Sequence, residues 1–254
     1  MLKGAVGPAR AFHMTGLLTI VAVGLFLGMR HATDPDHVIA VSTMLSGERS
    51  IPKAVLIGVL WGCGHTLTIV LVGAAIISFG LAMPARLGLS MEFSVGLMLI
   101  LLGVLNLTGV MNRLTVKFAP GGAKINEQHA HSHWLRTPAT QLGSFYTLRP
   151  LLVGVVHGLA GSAAIALLVL STIRDLRWAV LYLLVFGVGT IVGMMLITAA
   201  IALPFSFARA QSPGFNQGLV AASGILSLAF GIFICCHIGL VNGLFTNHPK
   251  WIPS

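Results

Sequence analysis

The chain has 254 residues, 56% of them hydrophobic and only 8% charged, with a formal net charge of +9. Soluble domains carry roughly a quarter of their residues as charged side chains. With a mean hydropathy of +0.93, this composition excludes an ordinary water-soluble domain and defines an all-helical, polytopic integral membrane protein. So basic a soluble protein would suggest nucleic acid, but Lys and Arg here fall mainly in short connections between apolar segments, where they set topology. The expected partner is the lipid bilayer, and nucleic acid is not.

Apolar segments at Phe12–Met29, Val55–Met83, Phe93–Met111, Leu151–Ile173, Trp178–Leu203 and Gly218–Phe245 each reach the ~17–25 residues that a helix needs to cross a bilayer. Six spans are predicted. The first is longer than the roughly 7–15-residue apolar region of a signal peptide and runs straight into a charged motif, so it is read as a retained helix.

That motif is Met29-Arg30-His31-Ala32-Thr33-Asp34-Pro35-Asp36-His37. Only six acidic residues exist in the chain, and two of them stand here between two histidines. Pro35 has no amide hydrogen and its ring clashes with the preceding turn, so a regular helix should break or kink at this point. Asp34, immediately before it, is pushed toward extended geometry. On an unbroken helix, rings six residues apart would be separated by about 240° of rotation; a break lets His31 and His37 converge. Imidazole nitrogen with carboxylate oxygen suits nickel, cobalt, copper, zinc or iron, and the lack of a nearby thiolate argues against copper(I). Asp36 would neutralise a divalent ion, Asp34 would orient or neutralise, and His65 in the next span is the natural additional ligand. The competing reading is a polar cap at the membrane interface, with Asp34 or Asp36 paired to Arg30. Ionisable groups in spans are costly and usually functional, which favours the metal reading.

The three cysteines, Cys63, Cys235 and Cys236, show no paired zinc spacing and are expected as small buried apolar residues. Counting Lys and Arg in connections favours an N-terminus outside and a cytoplasmic loop at 113–150. This loop carries His129, His131 and His133. Alternating histidines on a basic loop can capture transition metals weakly and should tune apparent affinity without being required for transport; an ordinary solvated linker is the other reading.

The two halves, 1–112 and 151–254, resemble each other. Gly28-x-x-His31 falls on Gly154-x-x-His157, Gly62-x-Gly64 on Gly187-x-Gly189, and Gly96 and Gly103 on Gly224 and Gly231, at offsets of 126, 125 and 128 residues. Three spans per half is an odd number, so the second copy would be inverted, a recurrent plan of secondary transporters. Asp36, His37 and His65 correspond to Ser162, Ala163 and Thr190, so a single metal site per chain is expected, built mainly by the first half. His157, Thr66 and Ser162 are candidates to complete or support it. For His157 a histidine packed between close helices and bonded to a carbonyl is an equal alternative.

His31-x4-Asp36-His37 resembles the signature of the nickel/cobalt transporter family. Val41-Ser42-Thr43, Trp61-Gly62-x-Gly64-His65-Thr66-Leu67-Thr68 and Val156-His157-Gly158-Leu159-Ala160-Gly161-Ser162 resemble its urease-accessory branch. The likeness covers nearly the whole chain. It departs from the family at Pro35, where many members carry Ala, and in lacking the extra helix that gives uptake permeases eight spans; six spans resemble the efflux members. The resemblance implies a permease for Ni2+ or Co2+ in a bacterial cytoplasmic membrane, with His31, Asp34, Asp36, His37 and His65 at the metal site. It implies uptake toward maturation of a nickel enzyme ahead of efflux. The metal is cargo, no permanent cofactor is expected, and a homo-oligomer is compatible with it. The chain has no GxxxxGK[ST] motif for ATP. HExxH is also absent, which counts against an intramembrane metalloenzyme. A haem protein with His31, His65 or His157 as axial ligands is a further alternative class.

Overall fold

The first helix, α1 (Pro8–His31), ends inside the polar cluster of residues 30–37, and α2 (Pro35–Leu45) leaves from it at a bend of 56°. In the computed structural model, residues 8–46, 48, 50–79, 84–109, 144–159, 173, 175–211 and 213–250 are described. The remaining helices are α3 (Ile51–Phe79), α4 (Ala85–Leu107), α5 (Ser144–Gly158), α6 (Leu176–Gln211) and α7 (Pro213–Cys236), the last ending in a π-helical turn at His237–Val241. The described residues contain no strand.

Among the described residues, four helices are long and apolar enough to cross a membrane: α3, α4, α6 and α7; the bent α1–α2 pair makes a fifth if it is one span. The fourth expected span, Leu151–Ile173, overlaps α5 (Ser144–Gly158) at residues 151–158; residues 160–172 lie outside the described set, as does the loop carrying His129, His131 and His133. Ser162 falls there too.

The surface is that of a molecule in lipid. Leu18, Phe26, Leu71, Leu101 and Phe207 face outward, whereas His31, His37, His65, His157, Thr190 and Thr198 are buried. In hydrocarbon there is no penalty for exposing leucine, and a heavy one for exposing an imidazole. One expectation fails here. Cys63 and Cys236 are exposed and Cys235 is half-buried, all three with free thiols. The lipid phase accepts a thiol as readily as a protein core does, so an apolar surrounding did not require an interior position.

Helix α6 packs against α1 and α3, α3 also against α5, and α4 against α7. These contacts come in exchanged pairs. A Cβ added to Gly28 on α1 would fall on the carbonyl oxygen of Phe186 in α6, and one added to Gly154 on α5 on that of Trp61 in α3. At Gly103 it would meet the Gly224 oxygen at 2.8 Å, and at Gly231 the Gly96 oxygen at 2.7 Å. Each pair relates residues of the first half to residues 125–128 further on. Glycine is needed at these crossings because backbone meets backbone, the small-residue packing on which membrane helices rely.

Helix α2 is moored at its far end by a buried polar network. Ser46 Oγ donates to Asn106 Oδ1 at 2.7 Å, and Asn106 Nδ2 donates to Ser223 Oγ at 3.1 Å and to the Val220 carbonyl at 3.0 Å. Replacing Asn106 by Ala removes these three hydrogen bonds between α2, α4 and α7; thermal unfolding of the purified variant should report a loss of about 1–2 kcal/mol.

Candidate metal centre

The break that places the site satisfies its own backbone. Thr33 and Asp34 amides donate to the Arg30 and His31 carbonyls, and the His37 and Val38 amides donate to the Asp34 carbonyl. Asp34 is extended, with φ −59° and ψ 143°, and Pro35 is the first residue of α2, where its missing N–H costs no hydrogen bond. Asp34 stands at the N-cap but makes no side-chain cap; its carboxylate accepts instead from His31 Nδ1 at 3.0 Å. Both expectations for this stretch, the interruption near Pro35 and the convergence it permits, hold: the His31 and His37 rings lie with centroids 4.7 Å apart.

Around them gather His65 from α3 and His157 from α5. His31 Nε2 and His65 Nε2 are 2.8 Å apart. Asp36 accepts from His37 Nδ1 at 3.2 Å through one oxygen and from His157 Nε2 at 2.8 Å through the other. The ring centroids of His37 and His157 are 4.3 Å apart, and those of His37 and His65 5.1 Å. All four imidazoles are buried, three of them completely. The interfacial-cap alternative does not describe this arrangement: both carboxylates take imidazole partners, and among the described residues neither forms an ion pair with Arg30.

The partners assign the tautomers of neutral rings. A carboxylate only accepts, so His31 donates from Nδ1 and presents a lone pair at Nε2; the 2.8 Å contact then has His65 donating from Nε2. His37 and His157 likewise donate to Asp36. What is left over are His65 Nδ1, His37 Nε2 and His157 Nδ1, all buried and all without a hydrogen-bond partner among the described residues. On this assignment the three are lone pairs. A buried polar atom without a partner costs about 1–3 kcal/mol, and three lone pairs with no donor make an electron-rich cluster. Two sets of three ligand atoms each fall within 4.8 Å of one another: His31, His37 and His65, and Asp36, His37 and His157.

Not every candidate is brought here. Thr66 donates to the Gly187 carbonyl at 3.2 Å and serves the α3–α6 crossing. Of the two readings of His157, the carbonyl-bonded one gives way to a carboxylate contact. Two residues without a place in the ligand reading line the cluster: Trp61, whose ring centroid lies 5.5 Å from both His37 and His157, and Phe186, 5.7 Å from His31. They occupy equivalent positions in the two halves, 125 residues apart, and that aromatic correspondence was the available signal. They close the cluster with apolar surface and lower its local dielectric, which strengthens every charge interaction inside.

The fold and this cluster define a multi-pass membrane protein with a buried histidine–carboxylate centre. The chain is 35% identical over 233 residues to urease accessory protein UreH of Bacillus sp. (strain TB-90), covering 90% of this chain and 96% of that protein; it belongs to the UreH family. It is also 25% identical over 226 residues to the chloroplast protein FOR GROWTH AND FERTILITY 1 of Arabidopsis thaliana. With FOR GROWTH AND FERTILITY 2 of the same plant it is 24% identical over 221 residues. The chain spans 60% and 57% of the lengths of these two. No protein-family model and no solved structure matches.

Proposed function

We infer that this protein is a permease of the nickel/cobalt transporter type that carries Ni2+ or Co2+ across the bacterial cytoplasmic membrane, inward, toward maturation of a nickel enzyme. The observation that carries the reading is the set of three buried imidazole nitrogens without partners beside two carboxylates. A divalent borderline ion is the ligand such a donor set favours. The direction rests on the kinship with a urease accessory protein, since urease maturation consumes nickel. In this reading His31, Asp36, His37, His65 and His157 replace part of the ion's hydration shell, and Asp34 holds the His31 ring.

The architecture proposed with it is two inverted three-helix repeats, with the N-terminus outside and the loop at 113–150 in the cytoplasm. The exchanged glycine contacts support it: an inverted pair relates α1–α6 to α5–α3 and maps α3–α6 and α4–α7 onto themselves. Rocking of one repeat against the other would then alternate access to the centre.

Proteoliposomes given an imposed Ni2+ or Co2+ gradient should accumulate metal, and a proton gradient applied separately tests coupling. Deleting the gene should lower cellular nickel; a rise in its place would mean efflux. No accumulation of either metal would remove the reading. Asp34→Ala should weaken metal binding by roughly 10–100-fold while retaining some flux, because losing the partner that orients a ligand imidazole costs that much; calorimetric titration of the variant checks it.

A further inference from the structure

The two sets of three ligand atoms share one residue. His31 of α1 and His65 of α3 form one set with His37, and Asp36 of α2 and His157 of α5 form the other; the His65 and His157 ring centroids themselves stand 5.9 Å apart. His37 Nδ1 faces Asp36, while its Nε2 has no hydrogen-bond partner among the described residues. A neutral imidazole has one lone pair, so it can serve one side at a time.

Resting on the metal-transport reading above, we propose that the centre contains two alternative cation positions, one held by His31, His37 and His65 and the other by Asp36, His37 and His157. His37 hands the ion from one to the other. In the first position the ion takes His37 Nε2, and the Nδ1 proton stays on the ring, hydrogen-bonded to Asp36. In the second, the bond to Nε2 breaks, Nδ1 gives up its proton through Asp36 to water admitted with the ion, and Nε2 takes one from that water. Nδ1 then binds the ion, and the ring keeps its charge. His157, whose Nε2 proton points at Asp36 and whose Nδ1 has no partner among the described residues, exchanges its proton with water in the same way. Asp36 exchanges two N–H donors for the cation. The positions draw on different helices beyond α2: α1 and α3 for one, α5 for the other. Relative movement of these helices would therefore open one position as it completes the other, which is what a transporter must do with its cargo.

The test uses the full chain in lipid nanodiscs titrated with Co2+, read by calorimetry and by visible ligand-field absorption, with Co2+ flux measured in proteoliposomes. Wild type should bind one Co2+ per chain. His65→Asn and His157→Asn should each lose flux by at least tenfold. One of them should keep the wild-type spectrum and Kd, having lost a ligand of the less occupied position, and the other should bind with a changed spectrum. Where either variant fails to fold, His31→Asn replaces the first and Asp36→Asn the second, with the same expected outcomes. Spectra changed in both variants would mean one pooled site, and spectra changed in neither would place the ion elsewhere; each overturns the proposal while leaving transport intact. Two Co2+ bound together would also overturn it. A wild type that binds neither Co2+ nor Ni2+ fails the transport reading itself.

Discussion

Replacing His37 by Ala should abolish Ni2+ or Co2+ flux, to the level of vesicles without protein, while the chain still folds. His37 is fully buried at the first turn of α2, against His31 at 4.7 Å, His65 at 5.1 Å and His157 at 4.3 Å between ring centroids. It belongs to both groups of ligand atoms, so its loss leaves each with two. Loss of even the partner of a metal ligand costs about 10–100-fold in affinity, and loss of a shared ligand should exceed that. Folding should survive because, among the described residues, the ring makes one hydrogen bond, to its neighbour Asp36. A size-exclusion profile and helical circular dichroism matching wild type, together with zero flux, is the expected result. Flux within twofold of wild type would sink the mechanism.

A large effect on stability should come from Gly154→Ala. The added methyl would fall on the Trp61 carbonyl oxygen and stand 3.0 Å from the His65 amide nitrogen. Neither is a side chain that can rotate away, so α5 and α3 must separate. Overpacking typically costs 1–3 kcal/mol and occasionally more, and a backbone-on-backbone contact belongs at about 3 kcal/mol or above. The same displacement carries His157 away from Asp36, because His157 is one turn further along α5. The variant should show a lowered Tm and reduced flux together. Gly218→Ala is the control: nothing lies within 4 Å of a Cβ there, and it should behave as wild type.

Much of the centre was legible because its causes are local. Proline's missing amide acts within one turn, so the break at Asp34–Pro35 and the approach of His31 to His37 follow from covalent structure. His65 was legible through its motif, and His157 through its correspondence with His31. The contact that gives His157 its place, with Asp36 at 2.8 Å, was not legible. It depends on how α5 is rotated against α2 and α3, which no spacing along one helix specifies. Thr66 shows the same limit from the other side: one residue from His65 on α3, it points to α6 and bonds the Gly187 carbonyl. The cysteines were misplaced for a different reason. Hydropathy separates water from apolar surroundings but not protein interior from lipid, and both are apolar here.

By itself, the sequence determined that this is a helical membrane protein, that its first helix breaks at Pro35, and that the break gathers histidine and carboxylate in a place where both are expensive. Those outcomes rest on hydrocarbon's intolerance of unpaired polar groups and on one residue's ring. Only the tertiary structure decided that four imidazoles and Asp36 form a single buried cluster, with Asp34 holding the His31 ring from its edge. Two sets of ligand atoms in it share His37, and it is walled by Trp61 and Phe186. Helix rotation and close approach, set by glycines on facing backbones, made that choice.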